Sequence, residues 1–275
     1  MNSNSFNMRR MAALLGIDLS ERKRTLLLQC VMLLGLLIVA AVYSAFQFNR
    51  YYYQTWEMDP ALRSLPIFYT IVFFIGGCLS ASFMFNDLAT KEGRIRSLMR
   101  PALDVEKFIT RWVIYVPGFI VMFIAGVFIA ESLRTGIVML RFSDVTATPC
   151  YALIYDSAVR DWLFDGVTNV DRFICNFSLF FLAIQSFFVL GSAVWPKNSA
   201  LKTFATFFCL TVAMALLTTW SFDLFSSEIT FCHKSDFFRE NSDRIATVLM
   251  IAAITTNYVL AWLRLGETDV ITTLR

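Results

Sequence analysis

Charge is scarce in this 275-residue chain, at 16% of residues against about a quarter in an ordinary soluble domain. Hydrophobic residues reach 57%, and 28 positions are Phe. That balance excludes a soluble globular domain. Histidine is nearly absent as well: His233 stands alone. A catalytic centre needs converging titratable groups, no nucleophile–base pair is visible, and neither a catalytic residue nor a cofactor is expected. Cys232, His233, Asp236 and Glu240 are the one conceivable metal set. Adjacent Cys and His cannot easily reach one ion, and no CxxC pairs with them, so no metal is expected. A GxxxxGK[ST] phosphate loop is also missing, so the chain cannot bind and hydrolyse ATP by that device alone.

What the sequence does hold is long apolar runs. A bilayer core about 30 Å thick requires roughly 20 apolar residues per helix, because backbone groups in lipid must bond within their own segment. Six such runs are legible, at about 25–48, 66–85, 108–130, 173–195, 202–222 and 245–263. The expected fold class is therefore all-α: a polytopic integral membrane protein with six transmembrane helices. The first run starts too late and is too long for a cleaved signal peptide, so it is expected to remain as an anchor. Ahead of it, residues 1–24 form a separate cytoplasmic or interfacial segment. Phe6, Met8, Met11, Leu14 and Leu15 can share one face of an amphipathic helix there, with Arg9 and Arg10 turned away. The transmembrane domain occupies 25–275.

Lys and Arg in short loops favour the cytoplasmic side. Arg9, Arg10, Arg22, Lys23 and Arg24 precede the first span, and Lys91, Arg94, Arg96, Arg100 and Lys107 lie between the second and third. Lys197 and Lys202 follow the fourth, and Arg264 and Arg275 follow the sixth. All fall on one side of a six-span chain, which places both termini in the cytoplasm. The opposite loops, 49–65, 131–172 and 223–244, are mixed or acidic. Tyr51, Tyr52, Tyr53 and Trp56 sit just past the first span, where amphipathic rings anchor at headgroup depth. Cys150 and Cys232 both fall in these exterior loops and form a candidate disulfide in an oxidising compartment, with two free thiols as the alternative. Polar residues within spans are few (Gln29, Asn176, Gln185, Asn257), and no ionisable residue lies near the middle of any span. That argues against a proton-coupled pathway or an ion channel, and close helix packing accounts for each residue singly.

The stretch KEGRIRSLMRPALDVEKF, Lys91 to Phe108, is basic and proline-broken between two spans. Helical spacing puts Ile95, Leu98 and Met99 on one face of a helix over Lys91–Arg100, which Pro101 should stop. Asp104 is expected to cap a second helix running into the third span. Such a loop could do no more than hold anionic lipid headgroups. An apolar knob with a charged rim, however, suits docking into a groove on another protein.

At these residues the chain resembles a known family. Lys91, Glu92, Gly93, Leu98, Met99, Pro101, Glu106, Lys107 and Phe108 are similar to the loop between the second and third spans of ABC type-2 exporter permeases. Their wording, with WPKNSALKTF at Trp195–Phe204, looks like a variant found in Bacteroidetes membrane proteins. The resemblance implies a coupling helix within the 87–107 loop that seats in a separate ATP-binding cassette ATPase subunit. It also implies a homo- or heterodimer of permeases, in contact with lipids, in a bacterial inner membrane. The docking residues would be Lys91, Glu92, Arg94, Ile95, Arg96, Leu98, Met99, Arg100 and Glu106, and no nucleic acid partner is implied. The exterior segment 131–172 departs from the family by its length. It supports the alternative of a non-transporting assembly or sensor subunit that uses this loop as its working surface.

Overall fold

The computed structural model describes residues 7–48, 59, 61–100, 102–142, 147–154, 164, 169–225 and 236–273. Eight α-helices occupy them: α1 (Met8–Phe46), α2 (Ala61–Ser82), α3 (Lys91–Met99), α4 (Asp104–Tyr115), α5 (Pro117–Arg141), α6 (Val170–Val194), α7 (Ser199–Phe225) and α8 (Asp236–Thr273). Short 3-10 helices cover Asn86–Ala89 and Cys150–Ile154. There is no strand among the described residues. Six segments are long and apolar enough to cross a bilayer: 8–46, 64–82, 104–141, 170–194, 199–220 and 244–267. The protein is an all-α, multi-pass membrane protein.

The boundaries differ from the hydropathy reading in instructive ways. The N-terminal segment is helical, but it continues unbroken into the first span as the 39-residue α1. At 1.5 Å per residue that is about 58 Å, nearly twice the hydrocarbon core. No break marks residue 24. The third crossing is jointed instead: α4 ends at Tyr115, and α5 begins at Pro117. Proline has no N–H to return to the carbonyl four residues back, and its ring crowds that carbonyl, so the helix restarts there. Beyond the joint, α5 runs past Ala130 to Arg141, into what the charges had assigned to an exterior loop.

The described chain forms two compact units, each considered separately. In one, comprising residues 7–77 and 110–173, α1 packs along α5. Leu37, Ala41 and Ala45 of α1 are buried, as are Phe123, Ala130 and Val138 of α5. Phe73 of α2 meets Phe123 with ring centroids 4.9 Å apart. In the other unit, residues 78–109 and 174–275, α6 meets α7 through Phe187 and Phe207, centroids 5.6 Å apart. Their connecting turn passes through Asn198, at φ 58°, a left-handed conformation that asparagine tolerates. Gly191 lets the helices close in, since a Cβ there would overlap the Thr203 side chain. Asn257 of α8 donates to Ser186 Oγ at 3.0 Å, the polar glue expected between membrane helices. Elsewhere α7 and α8 carry exposed Leu216, Leu217, Trp220, Val248 and Leu249, surface that lipid can cover as well as protein.

Candidate docking segment and a buried ion cluster

The segment between the second and third crossings is an ordered corner. Thr90 Oγ1 accepts from Gly93 N at 3.2 Å, capping α3 at its N-terminus. Glu92 in the first turn and Arg96 in the last complement the helix dipole. Gly93 is required by close approach: a Cβ there would run into the backbone carbonyl of Asp87 in the preceding 3-10 turn. At the other end Arg100 is extended, as a residue before proline must be. Pro101 itself lies outside the described residues.

Of the residues expected to dock, Lys91, Glu92, Arg94 and Arg96 are exposed and Arg100 is half-buried. Ile95 is 48% exposed and Met99 80% exposed. The side chain of Leu98 lies outside the described residues. Glu106 corrects the expectation: it is fully buried. Its Oε2 accepts from Leu103 N at 3.3 Å, reaching back one turn in the manner of a capping box. Leu103, not Asp104, therefore holds the cap position. Asp104 is the first helical residue and meets Lys107 Nζ at 3.4 Å. Phe108 packs on Phe85, centroids 6.0 Å apart, which ties the start of α4 to the end of the second crossing.

A second polar assembly was not anticipated from the sequence. Arg134 of α5 is fully buried, and its Nη1 donates to Asp59 Oδ2 at 2.6 Å. Its Nε donates to Glu131 Oε2 at 3.1 Å and its Nη2 to the Thr148 carbonyl at 2.7 Å. Glu131 Oε1 accepts from Tyr69 OH at 2.7 Å, and Oε2 also accepts from Cys150 N at 2.9 Å. Asp59 Oδ1 accepts from Ala61 N at 2.9 Å, at the start of α2. Two buried carboxylates thus share one guanidinium, and their other acceptor positions are filled by a phenol and backbone N–H groups. Three stretches of chain, Asp59 to Tyr69, α5 and Thr148 to Cys150, are tied at one point.

Such a cluster is a clasp. Its acidic and basic groups are spent on one another, which is the condition for holding charge away from water. Its sequence trace is the Glu131–Arg134 spacing, i and i+3 on one helix face.

Cys150 lies against this clasp. Burial pushes its thiol above the usual value, and the Glu131 carboxylate pushes it further. Its candidate disulfide partner, Cys232, lies outside the described residues, as do His233 and the side chains of Asp236 and Glu240 in the weighed metal set. Tyr51, Tyr52, Tyr53 and Trp56 lie outside them too. Thiolate is the reactive form, so Cys150 in the folded protein should resist iodoacetamide at pH 8 and react once the chain is denatured. Because the folded thiol holds its proton more tightly than the unfolded one, its contribution to stability is intact below the ordinary thiol pKa. It is lost as pH rises above that value. Mass-mapped alkylation before and after denaturation checks this, and rapid labelling of Cys150 in the folded state would contradict it.

No protein-family model, curated protein or solved structure matches the chain. The functional reading rests on the residues themselves.

Proposed function

We propose that this protein is the transmembrane subunit of an ABC-type exporter, seated in a bacterial inner membrane with both termini in the cytoplasm. A separate ATPase subunit would dock on α3, and two permease subunits would assemble with two such ATPases. The protein would hydrolyse nothing itself.

One observation carries this reading: α3 presents exposed Ile95 and Met99 on a nine-residue helix whose N-terminal end is capped by Thr90 and packed against the preceding 3-10 turn. Exposed apolar side chains at the centre of a contact supply affinity, and rim charges mostly set rate and specificity. Arg94 and Arg96 would then steer the partner, and Ile95 and Met99 would hold it. A lipid-binding loop needs the charges but not the fixed apolar pair.

The test is co-purification. Isolation of the full chain from its native membrane should bring an ATPase subunit with it, and Ile95→Asp or Met99→Asp should lose that partner at least tenfold. Both positions are exposed, so elution of the variants from a sizing column should not change. A wild-type protein that carries no ATPase, or an Asp variant that keeps it, would defeat the proposal.

The second reading, a non-transporting module, draws on the clasp. Arg134 holds the Thr148 carbonyl and Glu131 the Cys150 N–H, which fixes the start of the Cys150–Ile154 turn against α5 and gives the segment after the third crossing an ordered base. A partner captured through 131–172 in place of an ATPase would favour it.

A further inference from the structure

A cleft of about 710 Å³ lies between the C-terminal half of α1 and the N-terminal half of α2, within one unit. That volume falls in the range of small-ligand sites. Leu36, Val39, Leu65 and Phe68 make its apolar walls, and Tyr43 and Gln47 stand at one end. The amide of Gln47 donates to Tyr43 OH at 3.0 Å, so the two polar groups steady each other. Leu36 and Gln47 are separated by eleven residues of α1 and its cap. At 1.5 Å per residue that is about 16 Å, close to half of the 30 Å hydrocarbon core. The cleft therefore has the depth of one leaflet, with its polar end where α1 finishes.

A cation stands beside that end. Arg141 Nη1 donates to the Phe46 carbonyl at 3.3 Å, and its guanidinium lies 5.2 Å over the Phe142 ring. Phe142 in turn packs on Phe48, centroids 5.5 Å apart, and Phe48 lines the cleft. The guanidinium is thus tethered at the rim while its side chain remains exposed. Among the described residues, the carboxylates of Asp59 and Glu131 are engaged by Arg134. An apolar slot one leaflet deep, ending in an amide, a phenol and a fixed guanidinium, complements an amphiphile with an anionic head. Planar guanidinium is well suited to phosphate.

We propose that the cleft binds one acyl chain of an anionic phospholipid, with Arg141 meeting the phosphate and Gln47 and Tyr43 lining the headgroup end. The site would hold a resident lipid of the leaflet in which α1 ends. It does not depend on the ATPase-docking reading, since it uses none of the residues of α3.

Photo-cross-linking of the full chain in vesicles tests this. The probes are phosphatidylglycerol and phosphatidylcholine with the same diazirine-bearing chain, each at low mole fraction in a phosphatidylethanolamine background. With phosphatidylglycerol, label should concentrate on peptides covering 36–48 and 64–68, at least fivefold above the exposed α7 face at 210–220. Phosphatidylcholine should give no such excess. Ala40→Trp, which obstructs the cleft midway along its α1 wall, should remove the excess, while Arg141→Gln should make the two lipids equal and Arg141→Lys should keep most of the preference. Equal labelling of the cleft and of α7 would mean ordinary lipid contact and would overturn the proposal. So would a headgroup preference that survives Arg141→Gln, or peptide-to-peptide cross-links showing a second copy in the cleft. Sizing-column profiles of the variants separate loss of the lipid from loss of the fold.

Discussion

Replacing Arg134 with Met should be the most damaging single change in this chain, even though the side chain touches no solvent. The substitution is nearly volume-conserving, so the cost lies in charge. Asp59 Oδ2 would lose its 2.6 Å partner and Glu131 its 3.1 Å partner, leaving two carboxylates buried and uncompensated. Breaking a buried ion pair from one side typically costs about 3–5 kcal/mol. For a protein of this size that corresponds to a fall in apparent Tm on the order of 10 °C. Removing the charges together should hurt less: Asp59→Asn with Glu131→Gln in the Arg134→Met background should recover a substantial part of the loss. Thermal denaturation in detergent, read by size-exclusion fluorescence, checks both. A single Arg134→Met variant as stable as wild type would show that the cluster contributes nothing net.

The second large effect is expected at Gly191, where the cause is steric rather than electrostatic. A Cβ on residue 191 would interpenetrate the Thr203 side chain of the neighbouring helix, and both positions are buried. Gly191→Ala must therefore push α6 and α7 apart or force Thr203 out of its rotamer. Overpacking of this kind typically costs about 1–3 kcal/mol. Alanine is otherwise the better helix former by roughly 1 kcal/mol, so propensity alone has the opposite sign. A net loss of stability in Gly191→Ala would therefore isolate the packing term. Thr203→Gly in the same chain should restore most of it, giving a coupling energy above the roughly 0.5 kcal/mol of independent sites. Additive effects in that double-mutant cycle would refute close packing at this pair.

The spans and the helix at Lys91–Met99 are legible because each rests on a local signal. Six apolar runs are demanded by the bilayer, and the observed crossings fall within a few residues of most of them. The helix expected over Lys91–Arg100 is observed over Lys91–Met99, ended by the conformation that Pro101 imposes on Arg100. What was not legible depends on tertiary partners. Glu131 and Arg134 fall in the 131–172 stretch that the charge pattern assigns to an exterior loop, since an ion in lipid is costly unless paired. Their partners, Asp59 and Tyr69, are more than sixty residues away, and no spacing rule connects them. Glu106 is expected among the docking residues because the resemblance places it there, and with Asp104 taken as the cap its capping-box role stays hidden. Gly93 matched the motif, but its reason, the carbonyl of Asp87, is a contact across a turn.

The contrast between α1 and its packing partner bears on how motion could pass through the protein. Along α1 the backbone ladder is continuous for 39 residues, so this helix behaves as a stiff strut, and a tilt imposed at Met8 reappears at Phe46. The chain from Asp104 to Arg141 is interrupted between Tyr115 and Pro117, where the proline has no N–H to give to the ladder. Bending at that joint would leave the arm beyond Pro117 anchored through Arg134 to Asp59, within the same unit.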